Sequence, residues 1–558
     1  MLKLRVSSLV LGMILCAALT SVLCAQNIAP SSAGGGGGGD DKKPAAKTDT
    51  KKTPATTEEQ LAIIAEQMRK MQETIDAQQQ KIDNLEKERS FAATGVVPRI
   101  GGDEYVGTKN IVAKPARDND GMTLHIGDAT ITPVGFVDFT GVFRTRNTTN
   151  TFGTNFGQVP FDNTIQGHLS ETRLGAMNSQ IGFRVNARHG NSDITGYVEM
   201  DFLGNDAANV FVNGNSHTTR LRQMWVDFRH GKSEFAGGQM WSLLTPNRHG
   251  LGPDNDDVFF TNNIDRNYQV GLVFARQAGL RFIYHPNEHW SIGFAVENPQ
   301  QYVGIGEVIF PFLYNAQLGP QFDAANNPGT PNLLPDIIAK AAWDRGGDHP
   351  MHIEFAGLLR TFKMTTIGIT PNFVANTTEG FGGSVNALVG LTKKFRYVGN
   401  FFGSTGGGRY SGGLGPDLVV WADPSSIAHI RTVDTYATIQ GFEADASPKL
   451  MLDAYYGASY SRHAYAIDPT NPVPGRFDGF GAPNSPNTSN RAVQEFTFGT
   501  TYTMWRDPKY GAFQWLTQSS YVTRAPWFVA PGAPVNAHTF MLFTSFRYVF
   551  PGRAPDAR

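Results

Sequence analysis

The chain has 558 residues, including 61 Gly, 38 Phe and 17 Tyr, with a formal net charge of −1 and a mean hydropathy of −0.27. No apolar run of ~20 residues occurs beyond the N-terminus, which excludes a bundle of membrane helices but not a membrane barrel, whose strands are only half apolar. The charge, about −3 once Lys3 and Arg5 leave with a leader, gives no basic excess for nucleic acid, and both cysteines, Cys16 and Cys24, fall inside that leader.

Residues 1–25 read as a secretory signal peptide: Lys3 and Arg5, an apolar core from Leu9 to Leu23, then small Ala25. Lipid attachment at Cys24 is the alternative, opposed by the bulk of Leu23 before it. Residues 26–56 are a flexible Gly-, Lys- and Pro-rich linker that has nothing to bury. From Thr57 the pattern changes. Leu61, Ile64, Met68, Met71, Ile75, Gln78, Ile82 and Leu85 fill the a and d positions of successive heptads, and Thr57 with Gln60 supplies a capping box. Residues 57–90 are therefore expected to form a coiled coil and hence an oligomer; a single helix against another surface is the alternative. Residues 91–127 read as a connector.

Strand signals begin at 128 and run to 550, leaving an eight-residue tail, 551–558. Asn178 to Leu203 is the clearest stretch. Ile181, Phe183, Val185 and Ala187 alternate with Gln180, Arg184, Asn186 and Arg188. After a His189-Gly190-Asn191-Ser192 turn, Ile194, Val198, Met200 and Phe202 alternate with Thr195, Tyr197, Glu199 and Asp201. Period two gives each strand one apolar and one polar face, and about ten residues suffice to cross a bilayer at a tilt. Short turns recur near 230–232, 286–288, 345–350, 392–394, 447–448 and 507–510. Long Gly- and Asn-rich connections fall near 146–177, 204–218, 244–268, 299–334, 363–378, 406–430, 462–489 and 525–536. Strict alternation of short and long connections predicts an all-β transmembrane barrel of about 16 antiparallel strands behind an N-terminal α-helical coiled coil. Two stretches resist this reading: 219–229 alternates badly and 268–278 is ambiguous.

Several motifs resemble the DcaP-like trimeric porins of bacterial outer membranes: TITPVGFVDF in the first strand, GGQMWSLLTP from Gly237, AVENPQ from Ala295, LPDIIAKAAWDRGG from Leu334, AGLLR ending at Arg360, and GGGRY ending at Tyr410. The resemblance implies a homotrimer in the lipid bilayer of the outer membrane, with the coiled coil in the periplasm, passing small, often anionic solutes without a cofactor. The eight residues after the aromatic last strand, and the long Gly-rich linker, depart from it.

The chemistry in the sequence is that of a pore. The third long connection carries Arg248, His249, Asp254, Asp256, Asp257 and Arg266, and in porin-like barrels such a loop folds inward. Polar strand faces add Arg184, Arg188, Glu199, Arg222, Glu354 and Arg360. Charged rings select ions by attracting opposite charge; mutual pairing that merely keeps a lumen wet is the competing reading. His285, Glu288 and His289 spell H-x-x-E-H, but Pro286 and Asn287 put them in a turn, where two histidines cannot share one helical face and one metal. Asp254, Asp256 and Asp257 offer oxygens to calcium without the glycine and bidentate glutamate of an EF-hand. No G-x-S-x-G or phosphate-cradling loop occurs. A diffusion porin for small, carboxylate-type solutes is the expected function. A structural tether gripping periplasmic material through the coiled coil, or an outer-membrane hydrolase, are the alternatives.

Overall fold

The computed structural model describes residues 122–204, 215–324, 329–368 and 372–553. The chain divides into two units, Met1–Val106 and Gly107–Arg558, and every described residue lies in the second. The expected signal peptide, linker and coiled coil, most of the connector and the end of the tail lie outside the described residues.

Sixteen strands close into an antiparallel barrel. They are β1 (Ala129–Arg144), β2 (Gln180–His189), β3 (Ser192–Asp201), β4 (Arg220–His230), β5 (Ser233–Trp241), β6 (Arg276–Tyr284), β7 (Trp290–Glu297) and β8 (Asp336–Arg345). The second half comprises β9 (Met351–Ile367), β10 (Phe373–Gly390), β11 (Phe395–Thr405), β12 (Asp434–Ser447), β13 (Leu450–Ser461), β14 (Asn490–Asp507), β15 (Gly511–Pro526) and β16 (Ala537–Val549). Each pairs with its sequence neighbour, and β1 closes the ring. Its first half pairs with β2 (Ile131↔Val185) and its second half with β16 (Phe143↔Leu542). A short strand, Glu171–Gly175, lies beside that second half where β2 has not yet begun. Gly135 stands at the handover with φ 113°, where a Cβ would lie 2.2 Å from the Gln180 carbonyl oxygen, so only glycine fits.

Period two survives in the structure. Phe183 is 52% exposed on the outer face while Tyr197 and Glu199 are buried inside. Phe139, Phe235, Phe282, Phe294, Phe355, Phe401 and Phe496 extend the same apolar exterior. Such a surface suits hydrocarbon, and closure leaves no unpaired strand edge within it.

Three stretches differ from the plain alternating pattern. At 219–229 the alternation fails because Arg222 is an extra residue: Glu199 pairs with Gln223 and Met200 with Leu221. The bulge turns Arg222 and Gln223, consecutive in sequence, both inward. Residues 268–275 are not strand; β6 starts at Arg276, and the preceding residues are the return limb of the third long connection. The long connection expected at 363–378 is a correction: β9 runs to Ile367 and β10 resumes at Phe373, paired to their ends. A hairpin of the next connection, Leu418–Ala422 with Ala428–Thr432, packs on this extension. Phe362 and Met364 bury against Leu418, Val420 and Ile430, and the Ile430 amide donates to Asn376 Oδ1 at 3.0 Å. The polar residues that suggested a loop are held as strand by that tertiary contact.

Beyond the long-connection end, a three-stranded sheet (Val308–Ile309, Phe477–Phe480, Ala464–Ile467) joins this hairpin in a small cap with its own core of Val419, Val433, Ala464 and Phe480.

Candidate functional site: the loop inside the barrel

The third long connection, residues 242–275, runs through the barrel interior, and the wall strands hold its backbone. The Leu243 amide donates to Glu297 Oε1 (2.7 Å), Asn247 to Glu354 Oε1 (3.1 Å), Gly250 to Asp344 Oδ2 (3.1 Å) and Val270 to Glu495 Oε2 (2.9 Å). Wall cations hold its carbonyls: Arg281 donates to Leu251 O, and also to Trp241 O at the end of β5, and Lys340 donates to Thr245 O. Backbone groups withdrawn from water need partners, and charged partners make the stronger bonds.

The motifs quoted above meet at this loop. GGQMWSLLTP begins it, AVENPQ supplies Glu297, and LPDIIAKAAWDRGG supplies Asp336, Lys340 and Asp344. Arg360, from AGLLR, is buried: its Nε donates to Asp336, and Nη1 donates to Asp417 at 2.8 Å. Tyr410, from GGGRY, donates its hydroxyl to Asp336 Oδ2 at 2.9 Å. Arg360 thus ties β8, β9 and the 406–433 connection together and has no free face for a solute.

The other expected residues divide into groups. Arg184 reaches the loop, bonding Asp254 at 2.7 Å and Asp256 at 3.5 Å over the Tyr197 ring, and keeps partial exposure. These three, with His249 and Asp257 4.0 Å apart, form one group in which the loop's acids face the β2 wall. Arg222 is buried between Glu199 (2.7 Å) and Asp201 (2.8 Å), with the Tyr268 hydroxyl at 3.2 Å. Arg248 crosses to the opposite wall and bonds both oxygens of Glu443, at 3.0 and 2.8 Å, which also accepts from Arg396 and Tyr455. Glu354 is enclosed by Lys340 (2.8 Å), His352 (3.0 Å) and Asn386 (2.8 Å). Arg188 sits apart, exposed beside the first short turn and paired with Asp193.

Arg266 is different. It lies over the Phe136 ring at 6.0 Å, and its Nε and Nη2 are buried without a hydrogen-bond partner. Burial, and the Arg222 guanidinium near it, push this guanidinium down to about 10, so it remains charged at neutral pH. Arg276 is its counterpart on the wall: it sits over Trp241 at 5.4 Å with Nη1 unpartnered. Neither arginine has an ion pair among the described residues. Arg220 and Arg222 lie near Arg276, but both already share Asp201. Two guanidiniums without an ion pair of their own therefore stand where the loop returns to the wall, and the carboxylate near both, Asp201, is already shared by Arg220 and Arg222.

Sequence reasoning missed Arg276, along with Lys340, Glu297 and Glu443. Arg276 lay in the ambiguous 268–278 stretch. The others occupy inward parity, but parity cannot say which inward charge meets a loop.

The motif histidines have separate partners: His285 bonds Glu234 and Ser291, and His289 bonds the Asp344 carbonyl. Among the described residues no cluster of three or more His, Cys, Asp or Glu could hold a metal ion.

A closed sixteen-stranded barrel with its third long loop folded inside is a porin-type architecture. The DcaP-like resemblance read from the sequence extends to three dimensions. The crystal structure of the outer membrane channel DcaP of Acinetobacter baumannii superposes with a TM-score of 0.52 at 15% identity, covering 76% of this chain and 99% of that one. More distant matches include an anion-selective porin from Comamonas acidovorans (TM-score 0.40, 10% identity, 76% and 100% covered) and Salmonella typhi OmpF in complex with daunomycin (0.41, 8%, 76% and 100%). No family model matches the chain, and no curated protein matches it in sequence.

Proposed function

We propose that this protein is an outer-membrane porin through which small hydrophilic solutes diffuse, with a preference for carboxylate anions. The observation that carries the preference is the pair of guanidiniums without an ion pair of their own, Arg266 and Arg276, beside a loop that narrows the barrel. Arginine stays charged, so the pair draws anions into the narrowed barrel by its field. The acids of the loop count less, because Arg184 already neutralises part of the Asp254–Asp256 group. Arg248, Arg222 and Glu354 are held in ion pairs and contribute to the shape of the constriction rather than to its net charge.

Reversal potential across a salt gradient tests this. Anion preference is expected for the native channel, reduced in Arg266→Ala and Arg276→Ala; cation preference in the native protein refutes it. The protein is also read as a homotrimer with residues 57–90 as a coiled coil on the periplasmic side, since both termini and the short turns of such barrels face the periplasm. Deleting residues 57–90 is then expected to weaken assembly while the barrel still folds, and a stable full-length monomer in mild detergent would contradict the trimer. The second reading, a structural tether with the barrel as a plug, draws on how completely the loop packs against the wall. Steady open steps in single-channel recordings support the porin; silence supports the tether.

A further inference from the structure

The outer wall carries an aromatic and basic band at its long-connection end. The lipid-facing row ends there in Tyr436 and Tyr460, directly opposed across β12 and β13, with ring centroids 6.3 Å apart. Trp527 follows at 6.0 Å from Tyr460, fixed by its Nε1 donating to the Ser461 carbonyl at 2.9 Å. His463 packs edge-on to Trp527 at 4.6 Å, and Tyr465 lies 5.4 Å beyond. From Tyr465 the surface opens into a cleft of about 150 Å³ lined by Val419, Trp421, Arg431, Tyr465 and Ala466.

Guanidiniums border this band. Arg491 is the bulged residue at the start of β14 and lies over the Trp527 ring at 5.9 Å. Arg431 stands at the cleft. Both are exposed, and neither guanidinium has an ion pair or hydrogen bond among the described residues. Of the nearby carboxylates, Asp434 pairs with Arg462 at 3.4 Å and Asp423 with His429 at 3.1 Å, while Asp478 is buried beneath the surface and accepts from the Ala422 amide at 3.0 Å.

Tyrosine and tryptophan settle at the level of lipid headgroups, so cations just past such a row stand among the headgroup phosphates. Two exposed guanidiniums without carboxylates, beside fixed aromatic faces and a small cleft, suit a phosphorylated sugar. The guanidinium fork matches phosphate oxygens, and the ring faces cover the apolar side of the sugar. We propose that this band binds a phosphate-bearing glycolipid of the outer leaflet, with Arg431 and Arg491 taking its phosphates and Trp421 and Tyr465 packing against its sugar. The proposal rests on the outer-membrane reading above but not on channel activity.

The test uses the purified full-length protein in detergent, mixed with bisphosphorylated lipid A or with its chemically dephosphorylated form, and read by native mass spectrometry. Bound bisphosphorylated lipid is expected on the native protein, with roughly tenfold or more lost in the Arg431→Ala/Arg491→Ala double variant. That variant should keep its heat-modifiable migration and its conductance, since neither residue lies in the lumen. Equal retention by the double variant, or equal retention of the dephosphorylated lipid, overturns the proposal. Displacement of the lipid by millimolar inorganic phosphate would also overturn it, as it would mark a free-anion site. Silence in bilayer recordings with lipid retention intact would sink the porin reading and leave this one standing.

Discussion

The barrel has two kinds of inner wall. Both carry buried charges, but on β1 to β4 Asp138, Arg144, Glu199, Asp201 and Arg222, engaged with one another or with nearby polar groups, stand beside only a small apolar cluster of Val134, Tyr197 and Trp225. On β6 to β12 many inward positions are apolar. Ile283, Ala295, Ile338, Ala342, Leu358, Phe402 and Ala437 pack with Leu243, Leu244, Leu251 and Val273 of the inserted loop. The loop has in effect moved the hydrophobic core inside a barrel whose outside is also apolar. A strand on that side is buried by lipid on one face and by its own chain on the other. The loop meets both walls, the first through polar contacts such as Asn255 with Glu199 and Gln223, the second largely through its leucines.

The largest effect should follow from breaking the loop's tie to the apolar side. Arg248→Ala removes one of the two guanidiniums on buried Glu443 and leaves Arg396 in place, a change worth at most the ~3–5 kcal/mol of a fully broken buried pair. The midpoint of thermal unfolding in detergent should fall, and single-channel conductance should rise as the loop loosens. An unchanged melting profile would mean that the apolar contacts alone seat the loop. Those contacts are the next test: Leu243→Ala or Ile338→Ala should each cost ~2–5 kcal/mol as cavities in a packed core. The same truncation at half-buried Thr195, on the polar side, should cost far less. Denaturant titration of the three variants decides whether the two walls differ energetically.

The outer face provides a third comparison. Phe183→Arg should destabilise by ~2–4 kcal/mol if it lies near the bilayer midplane, whereas Thr195→Arg faces the lumen and should be tolerated. Equal folding yields into vesicles would show that the two faces of β2 and β3 do not see lipid and water. The smallest effect on stability is expected at Arg184→Ala, since its ion pairs with Asp254 and Asp256 are partly exposed and worth less than about 1 kcal/mol. Its signature should be in ion selectivity instead. Arg360→Ala should do the reverse, lowering stability through the loss of its bonds to Asp336 and Asp417.

Much of the barrel was legible in the chain, because a strand with one lipid-facing side must alternate. The periodicity of Gln180–His189 and Ser192–Asp201, and the turn residues between strands, follow from local geometry that each segment carries within itself. The failures have equally physical causes. Arg222 broke the alternation because a bulge inserts a residue that only the neighbouring strand can reveal. Residues 363–378 read as a loop because the hairpin that keeps them extended lies more than forty residues further along the chain. Composition showed arginines and carboxylates on inward parity, but parity is a property of one strand and pairing a property of several. Only the fold decides that Arg360 is sealed against Asp336 and Asp417 while Arg266 and Arg276 are left without an ion pair of their own. The fold alone also decides that the inserted loop meets one wall through polar contacts and the other through a packed apolar core set among ion pairs. Local periodicity sets which way a side chain points; what it meets there depends on a loop that must cross the barrel to reach it.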